Sequence, residues 1–128
     1  MGTGGTYWSL PGTIAYGDLS ADQFMVVKAG STAGTVKLAQ TAATDPILGI
    51  LQNDPTDGQA AEVAFFGVCQ ALSEDSVTFG CYLTCSSTGR VKKTTTNADE
   101  IVGFALRAGD AGDKIPVMLY RCEKASAS

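Results

Sequence analysis

The sequence predicts an all-β fold: a small β-barrel or β-sandwich built from two related halves, with an extended N-terminal arm. Three observations carry this reading. Short apolar and β-branched runs recur at about 8–12-residue spacing between Gly- and Asp-rich turns, the pattern of sandwiches and barrels. These runs fall into two sets that match each other. Helix is scarce, with room for one turn at Ser20–Met25 and another at Thr94–Asp99.

Residues 1–17 read as the arm. The first charge of either sign is Asp18, and Gly2, Gly4, Gly5, Gly12 and Gly17 alternate with Tyr7, Trp8, Leu10, Ile14 and Tyr16. Glycine makes ordering costly, and so short a segment has no core of its own. Its apolar side chains would be exposed unless a partner covers them. Tyr7, Trp8, Leu10, Pro11, Ile14 and Tyr16 are therefore the candidate contact residues. Deleting Met1–Pro11 is expected to leave the β domain folded.

A single β domain is expected over residues 18–123, followed by a frayed polar tail at 124–128. Strands are expected at Gln23–Lys28, Thr35–Ala39, Pro46–Leu51 and Ala61–Leu72. The turn Asn53–Gly58 holds several turn-forming residue types. The long strand alternates, with Val63, Phe65 and Cys69 inward and Glu62 and Gln70 outward. A second set follows: Val77–Cys85, Arg90–Thr95, Glu100–Arg107 and Lys114–Cys122. In the first of these, Phe79, Cys81, Leu83 and Cys85 share one face.

The two sets form an internal repeat, over about 24–72 and 77–122. Gly34-Thr-Val-Lys37 matches Gly89-Arg-Val-Lys92, with Thr41, Ala43 and Asp45 falling on Thr96, Ala98 and Glu100. Past Pro46 the offset drops by one residue. Ile47-Leu-Gly49-Ile then matches Ile101-Val-Gly103-Phe, Gly58 matches Gly112, and Val63 matches Val117. Gly49 and Gly103 should have equivalent surroundings.

Composition narrows the function. The chain has 128 residues, no histidine and a net charge of −4. Without histidine there is no Ser-His-Asp or Cys-His mechanism and no histidine metal ligand. A net-acidic chain whose one basic cluster is Arg90, Lys92 and Lys93 is a poor holder of nucleic acid. Charged residues are 17%, below the usual ~25%, which suggests a surface largely covered by something. The longest apolar run, Val63–Cys69, is far too short to span a bilayer. No secretory signal is visible. The expectation is a soluble protein that remains, or is assembled, in the cytoplasm.

Sites for chemistry are sought without result. Asp54/Asp57 and Asp110/Asp113 flank turns and lack the further ligands of a calcium loop. Glu74-Asp75 and Asp99-Glu100 are adjacent, so on a strand their side chains point apart. Gly2-Thr-Gly4-Gly5-Thr lacks the Lys-Ser/Thr and the flanking strand and helix of a phosphate loop. Cys69, Cys81, Cys85 and Cys122 have no C-x-x-C spacing and read as reduced core residues, with at least three buried. No enzymatic activity, cofactor, metal, nucleic acid or membrane is expected.

The ordered pattern of Gly49, Gly58, Glu62-Val-Ala-Phe-Phe-Gly67-Val, Gly89-Arg-Val91, Ile101-Val-Gly103-Phe-Ala105-Leu and Val117-Met-Leu-Tyr resembles the small capsid decoration, or cement, proteins of tailed bacteriophages. The resemblance covers about Ala15–Arg121. It implies a compact β protein on the outer surface of a virion head, assembled in the host cytoplasm. The major capsid protein would be its partner, with its own copies as trimer first and dimer second. The four cysteines and the aromatic, Gly-rich start depart from the family. The rival reading is a non-catalytic binding module, carbohydrate-binding or fibre-associated, in which Tyr7, Trp8, Tyr16 and Tyr82 stack on sugars.

Overall fold

A computed structural model describes residues 7–40, 47–94 and 100–123, with backbone alone at residue 100 and at 120–123. The segment Met1–Thr6, the repeat matches at Thr41, Ala43, Asp45, Thr96 and Ala98, the turn over Thr95–Asp99 and the tail Lys124–Ser128 lie outside the described residues, as does the Cys122 side chain.

Ten strands follow in chain order: β1 (Tyr7–Ser9), β2 (Ile14–Ala15), β3 (Val26–Ala29), β4 (Thr35–Leu38), β5 (Ile47–Leu51), β6 (Val63–Leu72), β7 (Tyr82–Cys85), β8 (Val91–Lys93), β9 (Glu100–Ala105) and β10 (Lys114–Glu123). No described residue is helical. Ser20–Met25 makes tight turns instead, with the Asp22 N–H donating to the Leu19 carbonyl and the Met25 N–H to that of Asp22.

All ten strands share one sheet, ordered β2-β4-β3-β5-β6-β10-β9-β7-β8, with β1 on β6 beside this path. The sheet is not closed. Single bridges curl its two ends back, Ile14 to Ala60 and Ser73 to Val91. Each half therefore rolls on itself, and β6 belongs to both.

The two halves repeat each other residue by residue. Val27 faces Gly49 as Leu83 faces Gly103. Ile50 and Leu51 face Ala64 and Val63, as Phe104 and Ala105 face Met118 and Val117. A Cβ on Gly49 would stand 2.1 Å from the Ala64 carbonyl oxygen, and one on Gly103 would stand 2.1 Å from that of Met118. These are equivalent atoms, so glycine is required here by close backbone approach. A matching turn precedes β3 and β7. Phe24 at φ 70° occupies the place of Gly80 at φ 83°. Their N–H groups donate to the Leu51 and Ala105 carbonyls.

Packing follows the same equivalence. The first half is plugged by Ala15, Leu19, Val27, Val36, Leu51, Ala61 and Val63. The matching buried positions in the second half are Ser73, Val77, Leu83, Val91, Ala105, Ile115 and Val117. Where the first plug has Leu51 and Ala61, the second has Ala105 and Ile115. A large and a small residue have exchanged places, which keeps the filled volume nearly constant. A larger cluster joins the halves. In it Val26, Ile47, Ile50 and Ala64 pack with Cys69, Cys85, Val102 and Leu119.

The strand expected at Val77–Cys85 begins only at Tyr82. Thr78–Cys81 is a turn at Gly80, so Phe79 leaves the shared face and is 74% exposed. Leu83 and Cys85 are buried, but so is Thr84.

Two stability outcomes follow. Gly49→Ala and Gly103→Ala should each lower the denaturant midpoint by an equivalent of about 2–3 kcal/mol, since the backbone must part to admit a methyl group. Leu51→Ala should cost about 2–5 kcal/mol. Adding Ala61→Ile should recover part of that loss, because it recreates the second half's pair. A double variant no more stable than Leu51→Ala would show that the two plugs pack differently.

Candidate interaction surface

Within the N-terminal segment, Tyr7–Ser9 and Ile14–Ala15 are strands of the sheet. Along β6, β10 pairs from Leu72 to Gly67, and β1 takes over from Gly67 to Ala64. Ala64 pairs with Ser9 and also with Ile50, so β1 lies on the edge of β6 opposite β5. That is the edge β10 uses. Gly67 sits at the changeover with φ 106°, a conformation only glycine adopts readily. The register of β10 against β9 shifts between Leu119 and Cys122. Trp8 thus stands opposite Phe66.

The six candidate residues do not converge. Tyr7 is half-buried against the central cluster and its hydroxyl donates to the Glu62 carboxylate. Leu10 packs on the first plug. Trp8 is 66% exposed and meets Phe66 edge-to-face at 6.0 Å. Pro11 is exposed on the β1–β2 connection. Ile14 and Tyr16 are partly exposed at the far end of the first half, where the Lys37 ammonium lies 5.8 Å from the Tyr16 ring centre. Deleting Met1–Pro11 would therefore strip β6 of β1 and remove Tyr7 and Leu10 from the packing. The β domain would lose stability.

Trp8 instead joins a row that the sequence reading did not assemble. Residues directly opposite on neighbouring antiparallel strands point to the same side of the sheet. Tyr82 faces Phe104, Phe104 faces Met118, and Met118 faces Val68. Two positions along β6 is Phe66, opposite Trp8. Tyr82 and Phe104 are tilted rings 5.0 Å apart. Tyr82 is 44% exposed, Met118 45% and Phe66 60%. The result is an apolar stripe across β1, β6, β10, β9 and β7.

The internal repeat sets this stripe in relief. The positions equivalent to Tyr82, Phe104 and Met118 are Val26, Ile50 and Ala64. All three are fully buried in the central cluster, beside residues of the second half. Aliphatic residues at a covered row are replaced by larger ones at an uncovered row. Laying the two repeats side by side would have shown these substitutions. A further match was also open to view: Tyr7-Trp8, Leu10 and Ile14 correspond to Phe65-Phe66, Val68 and Leu72. β1 and β2 are thus a shortened copy of β6.

Other chemistry is sparse. Among the described residues, no three His, Cys, Asp or Glu side chains are placed to hold a metal ion. Cys69 and Cys85 are buried, Cys81 is half-buried, and none of the three is in a disulfide. Burial pushes the Cys69 thiol up to about 12.

The N base of the head fiber protein gp8.5 of bacteriophage phi29 superposes on this chain with a TM-score of 0.66, covering 95% of this chain and 99% of that one at 12% identity. The two share a fold. No protein-family model matches the chain, and no curated protein matches it.

The Tyr7 contact makes β1 sensitive to pH. Burial, then the hydrogen bond to Glu62 and the Glu62 charge, push the phenol from 10 to about 12. A raised folded value means that the contact's full contribution is present below pH 10 and is lost as pH rises through 12. Emission from Trp8, the chain's single tryptophan, should therefore hold steady to about pH 10 and change toward pH 12. Tyr7→Phe should abolish that transition. In thiol titration, Cys69 and Cys85 should stay unreactive until denaturant is added.

Proposed function

We propose that this chain is a structural protein of a tailed-phage head, seated on the outer surface of the shell and joining neighbouring major capsid subunits. The apolar stripe carries the reading. A contiguous exposed row of large apolar side chains on a small protein marks an interaction surface. The matching row in the other half is covered. Aromatic residues and methionine are the types enriched at interface centres. The shared fold with a phage head fiber base supports the setting. So does the resemblance to cement proteins noted in the sequence.

The mechanism is adhesive. Burying the exposed part of one large side chain contributes up to about 1.5–3 kcal/mol. An interface of ~1,600 Å² suffices for specific binding. Repetition over a shell multiplies the effect of each contact. No catalytic step, cofactor or nucleic acid enters this function. Self-association, trimer before dimer, belongs to the same proposal and is read from the mass of the purified protein.

The test is rebinding to heads stripped of this protein. Phe66→Ser with Met118→Glu should weaken binding at least tenfold, with little change in melting temperature because Phe66 is 60% and Met118 45% exposed. Equal binding by variant and parent would move the contact off the stripe. Absence of the protein from purified virions would end the proposal.

A further inference from the structure

Tyr16 borders an open cavity of about 330 Å³ on the first half, near the lower limit for small-molecule sites. Asp18, Asp22, Lys28, Lys37 and Gln40 share its walls. Asp18 is held in place by the Ser20 N–H at 3.0 Å. Partial burial, and then the nearby Asp18 charge, raise the Asp22 carboxyl above its ordinary range. Two carboxylates and two ammonium groups cancel, so the cavity has no net charge to attract an ion.

At the equivalent place the second half carries a hydrogen-bonded carboxylate. Tyr16 corresponds to Glu74, Lys37 to Lys92 and Gly30 to Ser86. The Glu74 carboxylate accepts a hydrogen bond from Ser86 Oγ at 3.0 Å and another from Thr88. Those bonds, with weaker help from Arg90 and Lys92, hold it below the usual carboxylate range. Its polar atoms are spent on one another. In the first half, glycine at position 30 removes the hydroxyl. A Cβ there would lie 2.2 Å from Thr35 Oγ1 and 3.0 Å from the Tyr16 Cβ, so the close approach of Thr35 requires glycine. The first copy carries at this place an aromatic ring beside donors and acceptors of both signs.

We propose that this cavity binds a neutral hexopyranose, with Tyr16 against the C–H face of the sugar ring and Asp22 and Lys37 hydrogen-bonded to its hydroxyls. A neutral ligand suits the cancelled charge. An apolar face bordered by hydroxyls suits a tyrosine beside a carboxylate and an ammonium. The site lies apart from the apolar stripe and does not depend on seating on a phage head. Either proposal can fail alone.

The test is an amide chemical-shift titration of the full chain with methyl α-glucopyranoside, methyl β-galactopyranoside and N-acetylglucosamine, each taken to high millimolar concentration. At least one should give saturable shifts centred on Tyr16, Gly17 and Lys37. Tyr16→Ala and Asp22→Asn should each weaken that binding about tenfold, equivalent to about 1.4 kcal/mol. Phe79→Ser, at an exposed turn elsewhere, should leave it unchanged. Lys37→Met gives a third reading should Tyr16→Ala lose its fold. No saturable shift with any of the three sugars would overturn the proposal. So would shifts that persist in Tyr16→Ala, or tighter binding of inorganic phosphate than of any sugar.

Discussion

A strand buried in a sheet needs partners for its backbone groups, and the ten-residue β6 shares its two edges among three other strands. β5 takes one edge near Val63 and Ala64. β10 and β1 divide the other edge at Gly67. Both plugs depend on this division, because β6 begins in the first half and ends in the second. Val63 fills the first plug, and Ser73, just beyond the strand, bridges Val91 beside the second. Had β10 kept its register beyond Leu119, its backbone would have occupied the ladder now used by Trp8. The shift in β10 and the seating of β1 are two sides of one constraint.

That constraint explains which parts of the fold were legible in the sequence. The eight strands from β3 to β10 were visible because turn residues punctuate them and apolar runs fill them. The duplication was visible through Gly49/Gly103 and Gly34/Gly89, where a residue type is demanded by backbone geometry. β1 and β2 were missed because their partners are distant in sequence and their glycines read as freedom. Gly12 and Gly17 do take positive φ, at the turns flanking β2. They serve the path of the chain and do not loosen it. Phe79 was misplaced for a related reason. Alternation was extended through Gly80, whose positive φ breaks the strand.

The candidate surface was legible only in part. Trp8 and Tyr82 could be named as aromatic residues of interest, but Phe66, Phe104 and Met118 each read as an ordinary strand residue. Only pairing across strands puts them in one row. Sequence periodicity tells which side of its own strand a residue occupies. It does not tell which strand lies beside it, and a surface patch is made of such neighbours.

Duplication gives one backbone two sets of surroundings, and the side chains record the difference. The row Val26, Ile50 and Ala64 is the smaller one because the second half packs beside it. At Tyr82, Phe104 and Met118 no described segment exerts that pressure, and larger side chains are accommodated. Lack of crowding explains why they fit. It does not explain why they are apolar, since a solvated sheet face ordinarily alternates to polar residues. β8 beside them follows that rule, with Lys92 half-buried and Lys93 exposed. An uncovered row that stays apolar across strands distant in sequence has a cost in water. Contact with a partner would offset that cost. The same reasoning separates Tyr16 from Glu74: at equivalent backbone positions, Glu74 accepts hydrogen bonds from Ser86 and Thr88, and Tyr16 borders an open cavity.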